Sequence, residues 1–299
     1  MSTTVAVTGT SGLIGSALVS ALEESGRRVL RLVRRPPKSE NEITWTPAAR
    51  LLDERKLAGV DMVVNLAGET IGQRWSTTRR RLIRESRVRG TETIVGAIAR
   101  SGRSTTLINA SAVGYYGSRG AEILDEKSTN GRGYLAEVCR DWEDATKPIA
   151  PRSRVVMLRN GVVLSSKGGV LPEMLRPFQL GLGGKIGDGK QYLSWIDLDD
   201  MVRAIIWTID HPQIRGPVNV VSPNPITNRE FTHVVSDVLK KPAIVPVPAL
   251  ALKLMFGEMA SQTILASQRV MPEVLTASGF EYARSDIRAS LASCVGQGK

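Results

Sequence analysis

Val5-Ala6-Val7-Thr8-Gly9-Thr10-Ser11-Gly12-Leu13-Ile14-Gly15 carries three glycines spaced three apart behind a short apolar run. A turn after such a strand brings backbone N–H groups against phosphate oxygens only if no Cβ intervenes, a task suited to Gly9 and Gly12. Gly15 falls one turn into the following helix, where a missing side chain lets the helix sit close to the sheet. Ile14, Leu18 and Leu22 recur at i, i+4 and i+8 and give that helix its buried stripe. Gly26 marks its end, and Val29-Leu30-Arg31-Leu32-Val33 reads as a second parallel strand. Strand, glycines, amphipathic helix, stop and second strand together predict a dinucleotide site. Gly9, Thr10, Ser11, Gly12, Leu13, Ile14 and Gly15 form its pyrophosphate cradle.

The residues after the second strand choose the cofactor. A site for NAD places Asp or Glu there for the ribose hydroxyls, whereas NADP calls for cations at the 2′-phosphate. Here the strand runs into Arg34-Arg35, with no carboxylate between Glu24 and Glu40. The expected cofactor is therefore NADP, held by Arg34, nearest the strand end, with Arg35 or Arg31 as helpers.

Composition bounds the rest. At 299 residues, 42% hydrophobic and 23% charged, the chain suits one large α/β unit or two intimate lobes. Two cysteines, Cys139 and Cys294, build neither a disulfide framework nor a metal cluster, so no metal is expected. The apolar run 5–7 is interrupted at once by the turn, and the stretch 243–256 carries Pro246, Pro248 and Lys253. Neither reads as a signal or a span, so a cytoplasmic protein without membrane contact is expected. The net charge of +11 invites a nucleic-acid reading, but Arg79, Arg80, Arg81, Arg84, Arg87 and Arg89 point to several faces of one helix. Aromatic residues for base stacking are scarce at 5%. The expected partner is a small molecule; the sequence leaves monomer or homodimer open.

Buried strands recur after helical stretches: 60–67 ending in Leu66-Ala67-Gly68-Glu69, 106–111, and 154–159 opening into Asn160. This predicts an α/β fold, a Rossmann-type doubly wound parallel sheet with a smaller, mostly helical C-terminal substrate lobe. The cofactor domain spans 1–160, with 198–222 returning to it, and the second lobe spans 161–197 and 223–299. Small residues at strand C-terminal edges border a dinucleotide, which adds Leu66, Ala67, Gly68, Glu69 and Asn160 to the cofactor set. Thr227-x-x-Glu230 is a capping box with structural content alone.

These segments resemble the extended short-chain dehydrogenase/reductase superfamily, through Gly9, Gly12 and Gly15, Asn65-Leu66-Ala67-Gly68, and Ser111…Tyr116-Gly117. More narrowly, Leu66-Ala67-Gly68-Glu69, Arg74-Trp75, Ser86-Arg87, 111–117, 135–143 and Ser194-Trp195-Ile196 are similar to the YfcH-type epimerase subgroup, as are Gly257-Glu258-Met259 and 271–280 in the C-terminal module. The resemblance implies NADP in the N-terminal lobe and a ligand cleft against the C-terminal lobe.

One departure matters. The superfamily carries YxxxK, in which the lysine makes the tyrosine a usable acid/base; a phenol near pKa 10 is a poor base at neutral pH. With Tyr134 as the tyrosine, the lysine position is Val138; one residue on, Leu135 pairs with Cys139. Neither register supplies the pair.

Ser111 and Tyr134 remain the catalytic candidates. Ser111 lies one residue farther from Tyr116-Gly117 than the superfamily pattern expects, and reads equally as a strand-end hydroxyl. Arg87 and Cys139 join the cofactor set. Tyr115 and Tyr116 are pocket walls or core, and Gln191 and Trp195, which follow a glycine-rich loop where extended relatives grip a sugar nucleotide, are ligand contacts or anchors of that loop. The leading expectation is an NADP(H)-dependent oxidoreductase or epimerase-like enzyme with a small, sugar-nucleotide-like substrate. The alternative is a catalytically silent NADP(H)-binding redox sensor.

Overall fold

A computed structural model describes residues 3–296. Seven strands form one parallel sheet: β1 (Thr4–Thr8), β2 (Arg28–Val33), β3 (Glu42–Thr44), β4 (Met62–Asn65), β5 (Thr106–Ala112), β6 (Val155–Asn160) and β7 (Gly216–Val220). Their spatial order is β3-β2-β1-β4-β5-β6-β7. The winding reverses between β1 and β4, so the crevice beyond the strand C-terminal ends opens there, beside the glycine turn. This is the doubly wound fold expected from the buried runs. β3 is an addition: three residues, Glu42-Ile43-Thr44, too few to show a period.

Among the described residues, ten α-helices flank or extend the sheet: α1 (Leu13–Glu24), α2 (Thr77–Ser101), α3 (Tyr134–Asp144), α4 (Leu171–Gln179), α5 (Leu198–Asp210), α6 (Asn228–Leu239), α7 (Ala249–Phe256), α8 (Glu258–Gln262), α9 (Glu273–Ala277) and α10 (Ile287–Gly296). Leu18 and Leu22 of α1 pack with Met201 and Ile205 of α5 on one face, against Val5, Val7, Val64, Ile108 and Val218. Ile94, Val95 and Ile98 of α2 cover the other face with Ala6, Val63 and Leu107. Alternate strand residues thus reach opposite cores, which is why these strands read as unbroken apolar runs.

A separate core holds the second lobe: Leu171, Leu175, Phe178, Trp195, Phe231, Val235 and Leu291. The tail divides between the two bodies. Leu275 and Phe280 pack into the sheet's own core, while Ile287 and Leu291 pack with α6 in the second lobe. Asp200 ties this return down, accepting the backbone N–H groups of Ala283 and Arg284 at 2.8 Å each. Among the described residues no helix is long and apolar enough to cross a membrane.

Candidate functional site

The glycine turn has the geometry its spacing predicts. Gly9 has φ +68°, and a Cβ there would come within 2.9 Å of the Leu66 carbonyl. A Cβ on Gly15 would lie 2.2 Å from the Gly9 oxygen, so only glycine lets α1 start against the turn. Gly12 N–H donates to the Gly9 oxygen at 2.9 Å and serves as the N-cap, with no side-chain cap and no acid in the first turn. The first-turn N–H groups of Leu13 and Ile14 therefore have no side-chain acceptor, and the positive end of the helix meets no competing carboxylate. That is a fit for a pyrophosphate.

Beyond β2 the arginines separate. Arg34 is exposed, with no hydrogen bond or ion pair among the described residues. Arg35 reaches across to β3 and makes a bidentate pair with Glu42 at 2.7 and 2.8 Å. That hydrogen bond, helped by the Lys38 N–H, holds the Glu42 carboxyl down at about 2. Arg31 pairs with Glu23 at 2.6 Å. Arg35, expected as a cofactor ligand, is thus committed to a neighbouring strand, and Arg34 alone is free to meet a 2′-phosphate.

A buried polar ladder holds the strand ends that border the crevice. Thr8 Oγ1 donates to Asn65 Oδ1 at 2.7 Å and accepts the N–H groups of Leu66 and Ala67 at 3.0 and 3.1 Å. Asn65 Nδ2 donates to Asn109 Oδ1 at 2.7 Å and to Thr91 Oγ1 at 3.1 Å. Trp142 Nε1 donates to Thr91 at 2.9 Å. Sequence reading missed Thr8, Asn109 and Thr91 as parts of the site. The signal was available: asparagine inside otherwise apolar strands has to be satisfied somewhere.

The loop that leaves β4, at Gly68-Glu69, is gripped by α2. Ser86 Oγ accepts the Glu69 N–H at 3.0 Å, and Arg79 pairs with the Glu69 carboxylate at 3.2 Å. Arg87 Nη1 donates to the carbonyls of Glu69 and Ile83 at 3.0 and 3.1 Å. Its guanidinium lies over the Trp142 ring, and a Cβ on Gly68 would stand 3.3 Å from Arg87 Cζ. A cation is therefore fixed behind the backbone at the cofactor border, close enough to act on the charge state of Cys139. Cys139 itself is buried beside Gly114, and burial pushes its thiol up to about 12. It is no nucleophile.

Both catalytic candidates are otherwise engaged. Ser111 is 2% exposed and donates to Glu143 Oε1 at 2.7 Å. Glu143 is in turn paired with buried Arg159 through two bonds of 2.9 Å. The hydroxyl serves a buried ion pair. Tyr134 begins α3, packs with Ile83, Leu135 and Val138, and donates its hydroxyl to the Arg80 carbonyl. Burial raises its pKa, against the direction a base needs. Tyr116 is fully buried, its hydroxyl donating to Asn219 and accepting from Arg159, so it is core and not a pocket wall. Tyr115 remains half-buried, stacked on the Arg159 guanidinium at 3.6 Å.

Trp195 corrects likewise. It is fully buried in the second lobe and donates Nε1 to the Asn224 carbonyl at 2.9 Å, so it cannot stack on a ligand. Gln191 is half-buried and donates to the Ile186 carbonyl at 3.3 Å, anchoring the glycine loop. Asn160, by contrast, ends β6 at the crevice with its Oδ1 buried and unpartnered among the described residues. A ligand amide or hydroxyl would satisfy it. Across the crevice, the loop after β6 reaches α1: a Cβ on Gly169 would be 2.9 Å from Leu13 Cδ2.

The C-terminal module completes the rim. The N-cap of α3 is Gly133, which offers no side-chain cap, and Gln262 from α8 accepts the Leu135 N–H at 2.8 Å instead. Glu258 holds that glutamine at 2.6 Å and pairs with Arg80 of α2 at 3.0 Å.

Comparison with known proteins agrees with this geometry. Residues 5–222 match the NAD dependent epimerase/dehydratase family, and residues 247–294 match a domain of unknown function, DUF1731. An epimerase family protein of Mycobacterium bovis is 44% identical over 289 residues, 96% of each chain. The human epimerase family protein SDR39U1 (isoform 2), solved with NADPH, is 30% identical with a TM-score of 0.88, covering 98% of this chain and 99% of its own. A nucleoside-diphosphate sugar epimerase of Corynebacterium glutamicum is 38% identical with a TM-score of 0.83. The match covers 99% of this chain but only 59% of that longer one.

Proposed function

The chain belongs to the NAD dependent epimerase/dehydratase family, and on that premise we propose that it is an NADP(H)-dependent oxidoreductase or epimerase-like enzyme of cytoplasmic type acting on a small, sugar-nucleotide-like molecule. The observation that carries the cofactor is the pairing of an uncapped α1 N-terminus with an exposed, unpaired Arg34 beyond β2. The human relative was solved with NADPH, which supports the same choice.

When bound, the nicotinamide supplies hydride chemistry. This chain's residues supply position and charge. Gly9, Gly12 and the first-turn N–H groups hold the pyrophosphate, Arg34 the 2′-phosphate, and Ala67 and Gly68 border the dinucleotide. Asn160 offers its carbonyl oxygen to the reacting end. Arg87 stands in for the missing lysine as a fixed cation behind the strand end, where it stabilises negative charge developing on the ligand. The active site is therefore non-standard: no side chain in the YxxxK register can act as the usual acid/base.

That same engagement of Ser111 and Tyr134 favours a second reading, a redox sensor that binds NADP(H) without turnover. The two part company in one experiment. Protein loaded with NADPH or NADP is mixed with a panel of nucleotide sugars and simple carbonyl or hydroxyl metabolites, while cofactor absorbance and sugar epimerisation are followed. Turnover with one member supports the enzyme; silence throughout, with tight cofactor binding, supports the sensor.

A further inference from the structure

A second concave surface lies at the opposite edge of the sheet from the cofactor crevice. The segments entering β4, β5, β6 and β7 enclose a groove of about 450 Å3, bordered by Thr106, Arg152, Arg154 and Arg215 and by no carboxylate. Arg152 and Arg215 are exposed, whereas Arg154 is 7% exposed. None of the three guanidiniums has an acidic partner among the described residues. Arg154 donates to the Thr208 and His211 carbonyls at 3.0 and 2.9 Å, capping the C-terminal end of α5. Those two bonds use two of its five N–H donors, and the helix end offers about half a negative charge. The rest of its charge is uncompensated, and Arg215 adds a like charge close by. Burial and that neighbour both lower the Arg154 pKa.

A buried guanidinium beside a second cation, with no carboxylate in reach, is stabilised by an anion. The fork geometry of guanidinium matches phosphate oxygens two at a time, and three such cations suit a dianion better than a single carboxylate. The volume exceeds that of inorganic phosphate and falls within the range of small-metabolite sites. We propose that this groove binds a phosphate-bearing small molecule, with Arg154 as its floor and Arg152 and Arg215 closing on the ligand. The site lies at the N-terminal ends of the strands, separate from the glycine turn beyond their C-terminal ends.

Pyrophosphate serves as the probe, titrated calorimetrically into the full chain saturated with NADPH so that the glycine turn is filled. Chloride at matched ionic strength is the blank. Saturable binding is expected, weakened at least tenfold in Arg152→Ala and in Arg215→Ala and unchanged in Lys253→Ala, which removes an exposed cation of α7 outside both sites. Both groove arginines are exposed, so neither variant threatens the fold, and thermal melts check that. Three results overturn the proposal: no saturable heat above the chloride blank, binding that survives both groove variants, or binding lost in Lys253→Ala. A single-stranded RNA that binds more tightly than pyrophosphate, with the same arginine dependence, also overturns it in favour of a polyanion surface.

Discussion

Two adjacent arginines, alike in sequence, have different fates in the fold. Arg34 stays free because nothing acidic lies within its reach; Arg35 is drawn to Glu42, on a strand that the sequence does not announce. Glu42→Gln weakens that tie and is expected to free Arg35 for the 2′-phosphate, tightening NADPH binding several-fold while leaving NADH unchanged. Calorimetry on the variant checks this; looser NADPH binding would count against it. Cys139 gives a second test. Its folded pKa of about 12 exceeds the free value of 9.0, so the native state keeps a proton that the unfolded chain loses. Stability is then full below pH 9 and falls as pH rises toward 12, and Tyr116, raised from 10.0 to about 12, adds to the fall above pH 10. The urea midpoint is expected to fall from pH 8.5 to pH 11, and to fall less in Cys139→Ala.

At the level of elements, α1 and α3 face the crevice through different devices. α1 is held by glycine alone: a methyl at Gly15 would meet the Gly9 oxygen at 2.2 Å, and the contact is backbone, so the turn itself has to move. Gly15→Ala is expected to cost about 1 to 3 kcal/mol and to lower cofactor affinity at least tenfold, read by urea unfolding and by titration. α3 is capped from outside by Gln262, and Gln262→Ala is expected to cost about 1 kcal/mol. Ser111→Ala leaves Glu143 with its Arg159 bonds and is expected to lower stability by about 1 kcal/mol without changing turnover or cofactor affinity. A large loss in turnover would restore Ser111 to catalysis. Much of this scale is legible in the sequence, since the glycine turn, α1 and the buried strands announce themselves by spacing and apolar runs. The cap on α3 is not, because its donor and acceptor lie 127 positions apart.

Across the whole molecule, the same distinction decides what sequence reading could reach. The parallel sheet is visible because every strand between two helical layers must be apolar on both faces. The residues around the crevice are legible as a group, but their roles depend on partners brought from elsewhere. Trp195, Tyr116 and Ser111 look available in one dimension and are consumed by Asn224, Asn219 and Glu143 in three. Thr8, Asn65 and Asn109 look like ordinary strand residues and instead set the strand ends that face the cofactor. Taken together, these residues form an NADP(H) site governed by Arg34, as proposed above. That proposal is tested most directly by calorimetric titration of NADPH and NADH into the wild-type chain and Arg34→Ala. The wild type is expected to bind NADPH at least tenfold more tightly than NADH, about 1.4 kcal/mol or more, and Arg34→Ala to lose the preference. Equal affinities in the wild type, or a preference for NADH, would contradict it.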